Sequence, residues 1–84
     1  MPQNTMKQRL NSISQLATIL VARRKAMRMS QQALAAKLAI GQAALSQIEG
    51  GSITLSVRRL LDIANVLDLE VVIQNKQNSP KTDW

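Results

Sequence analysis

Residues 30–51 read SQQALAAKLAIGQAALSQIEGG, and this stretch is the most informative about the fold. A helix is predicted over about residues 31–38, because Ser30 is a favourable N-cap and apolar residues follow it at helical spacing. The next three residues, 39–41, form a tight turn, and a second helix is predicted over about residues 42–49. Two glycines follow this helix, and glycine readily adopts the left-handed conformation that ends helices. The stretch therefore predicts two short helices joined by a tight turn.

The flanking residues predict a longer helix on each side. Ser12 and Gln15 fit a capping box, and the apolar residues after them predict a helix over residues 13–27. Ser56 caps another helix, whose apolar residues recur at helical spacing. The pattern then changes to a short β-branched run at residues 69–74, which predicts a strand.

The predicted fold class is all-α, with four to five helices and one C-terminal β-strand that pairs across a homodimer. A lone strand leaves its backbone groups without partners, and the same strand of a second copy supplies them most simply. A fifth helix, or a strap packed on its own domain, is the alternative. The residues assigned to dimerisation are Leu69, Val71, Val72 and Ile73. The predicted organisation is a flexible leader at 1–11, a helical domain at 12–68, a dimerisation strand at 69–75 and a flexible tail at 76–84.

Composition limits the classes of function. The 84 residues include neither histidine nor cysteine, so the chain has no thiolate or imidazole metal ligand and no disulfide. Glu49 is a lone acid among basic residues, without a second carboxylate, a histidine or a cysteine to complete a general acid–base pair, so we expect no enzyme, no cofactor and no metal site. We also expect no membrane span and no secretory signal, because the sequence has neither a long apolar run nor a charged-then-apolar leader.

Charge is distributed unevenly along the chain. The formal net charge is +6, and all five acidic residues lie at position 49 or later. The half of the chain before them carries basic residues alone, which favours an anionic partner, and duplex DNA is the usual one. A solvated basic face that aids solubility is the alternative.

From residue 16 to residue 67 the sequence resembles the helix-turn-helix domain of the phage-repressor and Cro superfamily, the XRE family. The resemblance rests on motifs at fixed spacing, which are SQ at 30–31, LA at 34–35 and S..E.G at 46–51. It implies a DNA-binding domain whose second central helix lies in the major groove and contacts base edges.

Three positions bear on this resemblance. Ala39 stands where the turn usually has glycine, and we expect it to adopt the left-handed conformation at roughly 1 kcal/mol of strain. Leu55 replaces the usual proline before the last helix. In the family pattern Glu49 is structural, and we expect it to pair with an arginine of the first helix.

The resemblance and side-chain chemistry together assign roles on the second central helix. Glutamine suits adenine, because its amide both donates and accepts, as the adenine N6 and N7 edge requires. Alanine lets the backbone approach the groove and can contact a thymine methyl group. The residues expected to contact bases are Gln42, Ala43, Ala44 and Gln47. A solvated polar face with helix-favouring alanines is the alternative.

Phosphates require hydrogen-bond donors rather than base-reading groups. Gln31 begins a helix, where side-chain and backbone donors and the positive end of the helix dipole favour a phosphate. The residues expected to contact phosphates are Gln31, Ser30, Ser46, Arg28 and Arg24. For each arginine a solvated side chain is the alternative. Arg58 and Arg59 begin the last helix, where the dipole disfavours positive charge, and their role stays open.

The end of the chain is similar to HipB-type antitoxins, which join such a domain to a β-strand and a short polar tail. The resemblance implies a homodimeric, cytoplasmic repressor that binds double-stranded operator DNA in its own promoter and a HipA-type serine/threonine kinase toxin. Trp84 is then the expected toxin-binding residue, because a large apolar side chain often dominates an interface. The alternatives for Trp84 are an ordinary exposed chain end and a side chain that folds back on the dimer. The alternatives for the whole chain are a stand-alone XRE repressor without a toxin partner and a protein-interaction adaptor that only shares the fold.

Overall fold

The computed structural model describes residues 7–76 and has four α-helices within that range. They are α1 (Ile13–Ala26), α2 (Gln31–Leu38), α3 (Gln42–Glu49) and α4 (Val57–Val66). The two central helices have the predicted bounds, and α1 ends one residue earlier than predicted. The helical part of the predicted fold is confirmed.

Serine caps three of these helices. The hydroxyl oxygens of Ser12, Ser30 and Ser56 each accept a hydrogen bond from the backbone N–H three residues later, at 3.0–3.1 Å. The Gln15 contact differs from that of the predicted capping box, in which the glutamine accepts from the N–H of the N-cap residue. Here Oε1 of Gln15 accepts from the N–H of Asn11, the residue before the N-cap, at 2.8 Å. The remaining helix, α3, begins after Gly41 and has no side-chain cap.

Three helices are followed by a non-glycine residue in the left-handed conformation. Arg28, Ala39 and Asp68 have φ angles of 58°, 58° and 57°. The sequence predicts this conformation only at Ala39, where it is confirmed. The residue that follows each of these three left-handed residues donates its N–H to the carbonyl five positions before it, at 2.8–3.1 Å. The apolar side chain of the same following residue packs on the core. These following residues are Met29, Ile40 and Leu69.

An aliphatic core holds the helices together. Leu34, Leu45 and Ile63 come from α2, α3 and α4 in turn and are fully buried, and Leu20 of α1 joins them. Each buried side chain of this size contributes about 1.5–3 kcal/mol through its transfer out of water. The central helix α2 packs against both α3 and α4, and α1 packs against α3. This packing buries one face of α3 and leaves its opposite face in solvent.

After α4 the chain continues as an irregular segment, residues 69–76. Leu69 is half-buried against the core, whereas Val71, Val72 and Ile73 are exposed, Ile73 by 95%. Residues 69–76 form neither a fifth helix nor a strand, and a strand needs a ladder partner, which a single copy does not offer. The predicted pairing of this segment between two copies stays a prediction.

The described part of the chain has no helix that is both long enough and apolar enough to cross a membrane. Part of the predicted leader, residues 1–6, and most of the predicted tail, residues 77–84, lie outside the described residues. The assignment of Trp84 to toxin binding therefore falls outside them too. The predicted domain bounds at 12–68 stay predictions.

Candidate nucleic-acid interface

One solvent-facing surface of α3 carries all the residues expected to contact bases. The opposite side of the helix, which includes Leu45 and Ile48, is buried in the core. We call the exposed surface the α3 outer face, and its residues are Gln42, Ala43, Ala44, Ser46 and Gln47. Because three of these side chains are small, a flat partner can approach the helix backbone closely.

The N-terminus of α3 is open. Its N-cap, Gly41, gives no side-chain hydrogen bond to the N–H groups of the first turn. A Cβ atom at Gly41 would have nothing within 4 Å, so the space beside the start of the helix is unfilled. Uncapped N–H groups and the positive end of the helix dipole favour an anion, and DNA supplies phosphates.

Gln42 and Gln31 contact each other across the turn. Gln42 begins α3, and its Nε2 donates to Oε1 of Gln31, the first residue of α2, at 3.4 Å. Gln31 is half-buried, and its own Nε2 donates to Oε1 of Glu49 at 2.9 Å. The structure thus brings a residue expected to contact bases together with one expected to contact phosphates.

The structure corrects the assignment of Arg24 to the phosphates. Arg24 is only 8% exposed, and its guanidinium is bound inside the domain. Its Nε and Nη2 donate to the two carboxylate oxygens of Glu49 at 2.7 and 3.0 Å, and its Nη1 donates to the carbonyl of Met29 at 2.9 Å. A planar guanidinium matches a carboxylate in this two-point geometry. The predicted pairing of Glu49 with an arginine of α1 is therefore confirmed.

The other residues expected to contact phosphates have accessible side chains. Arg28 and Ser30 are exposed and lie just before Gln31, so these three surround the start of α2. The Ser30 oxygen accepts the cap hydrogen bond of α2, and its hydroxyl proton is left to donate outward. Ser46 lies apart from them, on the α3 outer face.

Arg58 and Arg59 begin α4 and stay unassigned. Arg58 is exposed, Arg59 is half-buried, and both line a shallow depression with Ser56 and Asp62. Neither arginine forms a salt bridge within residues 7–76. Across the same residues no cluster of acidic side chains is arranged to hold a metal ion.

Sequence reasoning missed the burial of Arg24, although a signal for it exists. Ala17, Leu20 and Arg24 fall on one face of α1 at helical spacing, and all three are buried. The first two are apolar, so the spacing places the arginine on the core-facing side. The contact between Gln31 and Glu49 joins residues 18 positions apart and has no comparable local signal.

The family model HTH_3, described as Helix-turn-helix, matches residues 20–73. A curated relative, an uncharacterised HTH-type transcriptional regulator called y4dL from Sinorhizobium fredii, is 41% identical over 59 residues. The match covers 70% of this chain and 30% of the relative, so the chain spans less than a third of that protein's length.

Solved structures of HipB have a similar fold. The HipB chain of a HipB-O1-O2 complex is 26% identical, with a TM-score of 0.73 over 82% of this chain and 100% of that one. A chain of a structure described as a HipA-HipB-O2-O3 complex is 25% identical, with a TM-score of 0.74 over 84% of this chain and 100% of that one. The four described helices therefore form a HipB-like helix-turn-helix fold.

Proposed function

Because the chain belongs to the XRE-type helix-turn-helix family of transcriptional regulators, we propose that it is a sequence-specific repressor that binds operator DNA as a homodimer. We propose further that it is the antitoxin of a HipA-type kinase toxin and represses its own promoter. The observation that carries the proposal is the α3 outer face, on which two glutamines flank two alanines and every side chain is exposed.

In the proposed complex, α3 lies in the major groove with its outer face on the base edges. The amides of Gln42 and Gln47 suit adenine, and the methyl groups of Ala43 and Ala44 suit thymine. Each good two-point contact of this kind discriminates the right base by about 1–3 kcal/mol. The α3 outer face is thereby expected to select a short half-site.

Phosphate contacts hold the domain in register on the duplex. Gln31, Ser30 and Arg28 surround the start of α2, and the dipole of that helix adds a favourable field. Ser46 is placed to add a donor from α3. Because each neutralised phosphate releases counterions, the affinity is expected to fall steeply as the salt concentration rises.

A homodimer gives the repressor two copies of the α3 outer face. The exposed run Val71, Val72 and Ile73, with Leu69 anchored on the core, is proposed to pair with the same segment of a second copy. A two-fold dimer presents two copies of α3 to half-sites about 34 Å or a multiple of that apart. A dimer bound across a promoter blocks access to it.

The antitoxin role is supported by similarity to HipB, which one solved structure contains in a complex with HipA. The proposed partner is a HipA-type serine/threonine kinase, bound in part through Trp84. The chain itself is proposed to be a cytoplasmic, non-enzymatic protein that needs no cofactor. Deleting residues 75–84 is expected to spare DNA binding and to weaken kinase binding, and an unchanged kinase affinity would rule out the Trp84 anchor.

Co-purification of the chain with the products of its neighbouring genes, followed by footprinting on its own promoter, tests both the repressor role and the antitoxin role. A protected site and a co-purifying kinase would support both roles. A protected site without a kinase would favour the stand-alone repressor. If no promoter site is protected, or if DNA binding hardly depends on salt, the repressor is contradicted and the adaptor is favoured.

A further inference from the structure

Two consecutive arginines of α1 bind the C-terminal ends of two different helices. Arg24 binds the carboxylate of Glu49, the last residue of α3, at 2.7 and 3.0 Å. Arg23 donates from Nε to the carbonyl of Leu67, the C-cap residue of α4, at 2.8 Å across 44 positions of sequence. Adjacent residues of one helix therefore hold both α3 and the point where the chain leaves α4.

The contact of Arg23 links α1 directly to the end of α4. The helix α1 packs against α3, and within residues 7–76 no other hydrogen bond joins α1 to α4 or its C-cap. The last carbonyls of a helix have no partner inside it, and the guanidinium gives the Leu67 carbonyl one. Its positive charge also suits the negative end of the α4 dipole. The bond is therefore favourable in both its geometry and its charge.

The bond lies where the chain leaves the packed domain. The Leu67 side chain is fully buried, Asp68 is left-handed with φ 57°, and Leu69 donates its N–H to the carbonyl of Ala64 at 2.8 Å. Residues 70–76 after them are all exposed. Because a peptide unit is planar, a hydrogen bond to the Leu67 carbonyl fixes the plane that joins Leu67 to Asp68. The bond from α1 thereby fixes the direction in which the exposed segment departs.

We propose that Arg23 is a positioning residue that fixes the direction of the exposed segment, residues 70–76, relative to α3. The inference rests on the proposed function, because this segment is proposed to pair two copies and α3 to read each half-site. In such a dimer, the angle between the segment and α3 sets the distance between the two copies of α3. Arg23 then determines which half-site spacing the dimer accepts, although its own contact lies inside one domain.

A change of half-site spacing has a defined geometric size. Inserting one base pair moves one half-site by about 3.4 Å and turns it by about 35° around the duplex axis. A rigid dimer cannot place both copies of α3 after that change. It then loses base contacts at one half-site, and a good two-point contact is worth roughly tenfold or more in affinity. A dimer whose segments turn on their domains keeps those contacts and loses less.

The variant Arg23→Met tests this inference, and Lys25→Met is its matched control. Both remove one positive charge from the last turn of α1. Lys25 is exposed, and its side chain makes no hydrogen bond or salt bridge within residues 7–76. Each chain is titrated with the duplex that the wild type selects from a randomised pool, with versions that have one base pair inserted or removed at the centre, and with a single half-site. The titrations are made at a temperature where circular dichroism shows every chain folded.

We expect the wild type and Lys25→Met to lose roughly tenfold or more in affinity when the spacing changes. Arg23→Met is expected to lose less than about threefold, which is half of that free energy. Its affinity for the single half-site is expected to match that of Lys25→Met, because α3 keeps its own contacts. A residue that only stabilises the domain would lower the affinity for every duplex by one factor. An unchanged spacing preference in Arg23→Met would therefore overturn the proposal.

The variant Asp68→Asn separates the carbonyl contact of Arg23 from its charge contact. Nη2 of Arg23 lies 3.8 Å from Oδ2 of Asp68, whose side chain is 90% exposed, so this charge contact is weak. Asparagine tolerates the left-handed conformation and removes only the charge. Asp68→Asn is expected to keep the wild-type spacing preference, because the bond to the Leu67 carbonyl remains. If it accepts changed spacings as Arg23→Met does, the carbonyl contact is not the one that positions the segment, and the proposal fails.

Backbone amide relaxation in the DNA-free chain separates this inference from the proposed function. NMR order parameters report backbone motion on the picosecond to nanosecond timescale. At residues 68–70 they are expected to fall in Arg23→Met and to keep their wild-type values in Lys25→Met. Unchanged order parameters in Arg23→Met would overturn the positioning role whatever the DNA results. If they fall as expected but the wild type selects no pair of half-sites, the proposed function fails and the anchoring of the segment by Arg23 stands.

Discussion

Replacing Arg24 with methionine tests how the interior of this domain is stabilised. The substitution keeps much of the side chain's apolar volume and removes three hydrogen bonds, two to Glu49 and one to the carbonyl of Met29. The Glu49 side chain, only 6% exposed, then keeps the amide of Gln31 as its partner. Removing one member of a buried ion pair costs about 3–5 kcal/mol, because the remaining charge is poorly solvated.

That loss is large compared with the stability of a small domain, which is about 5–15 kcal/mol. In a domain of this size each kcal/mol lowers the melting temperature by about 4–8 °C. We therefore expect Arg24→Met to melt at least about 12 °C below the wild type, as measured by far-UV circular dichroism. Its urea midpoint is expected to fall while the slope of the transition stays the same.

The neighbouring Arg23 is the matched control. Its Nη2 lies 3.8 Å from Oδ2 of Asp68, whose side chain is 90% exposed, and its Nε donates to the carbonyl of Leu67 at 2.8 Å. An exposed ion pair contributes about 0–1 kcal/mol and a hydrogen bond about 1 kcal/mol, so Arg23→Met is expected to cost about 1–2 kcal/mol.

Two outcomes would show that the buried charge of Glu49 is not the cause of the lost stability. One is an equal loss of stability in Arg23→Met and Arg24→Met. The other concerns the double variant Arg24→Met, Glu49→Leu, in which no buried charge is left without a partner. It is expected to recover most of the loss, because apolar replacements of a buried pair are often neutral. A double variant no more stable than Arg24→Met would contradict the burial argument.

Three further predictions concern the backbone and the dimer. Ala39→Gly is expected to raise the free energy of unfolding by about 0.5–1 kcal/mol, because glycine relieves the strain at φ 58°, and an unchanged or lower melting temperature would contradict this. Gly51→Ala is expected to lower that free energy by more than about 1 kcal/mol, since Gly51 has φ 72° and an added Cβ would lie 3.2 Å from Cα of Ser14. Its control in the same denaturation assay, Gly41→Ala, has open space at the Cβ position and is expected to change stability by less than about 0.5 kcal/mol. Ile73→Lys is expected to sediment as a folded monomer and the wild type as a dimer, and a dimeric variant would contradict strand pairing.

The helices could be predicted because their signals are local. Ser30 and Ser56 mark helix starts, and the apolar spacing after them marks the faces that pack inward. The left-handed residue Ala39 could be predicted from the family pattern. Arg28 and Asp68 also adopt the left-handed conformation, although neither is a glycine. The sequence signal for this conformation is the apolar residue that follows each of them and packs on the core.

The interior of the site was harder to predict, because its contacts join residues far apart in sequence. Charged residues are rarely buried unless they are paired, which favoured a surface position for Arg24 although its spacing from Ala17 and Leu20 places it on the core-facing side of α1. The contact of Gln31 with Glu49 depends on the packing of α2 against α3, which spacing alone does not determine. The segment at 69–76 is irregular in a single chain, and its predicted strand would need a second copy as a ladder partner, so that prediction stays open.

We propose above all that the α3 outer face reads DNA sequence. Selection of duplexes from a randomised pool, followed by titration of the selected duplex with Gln47→Ala and with the exposed control Gln32→Ala, tests it most directly. We expect a two-fold symmetric motif, a roughly tenfold or greater loss of affinity in Gln47→Ala, and wild-type affinity in Gln32→Ala. A pool without an enriched motif, or a Gln47→Ala variant that binds the motif as tightly as the wild type does, would contradict it.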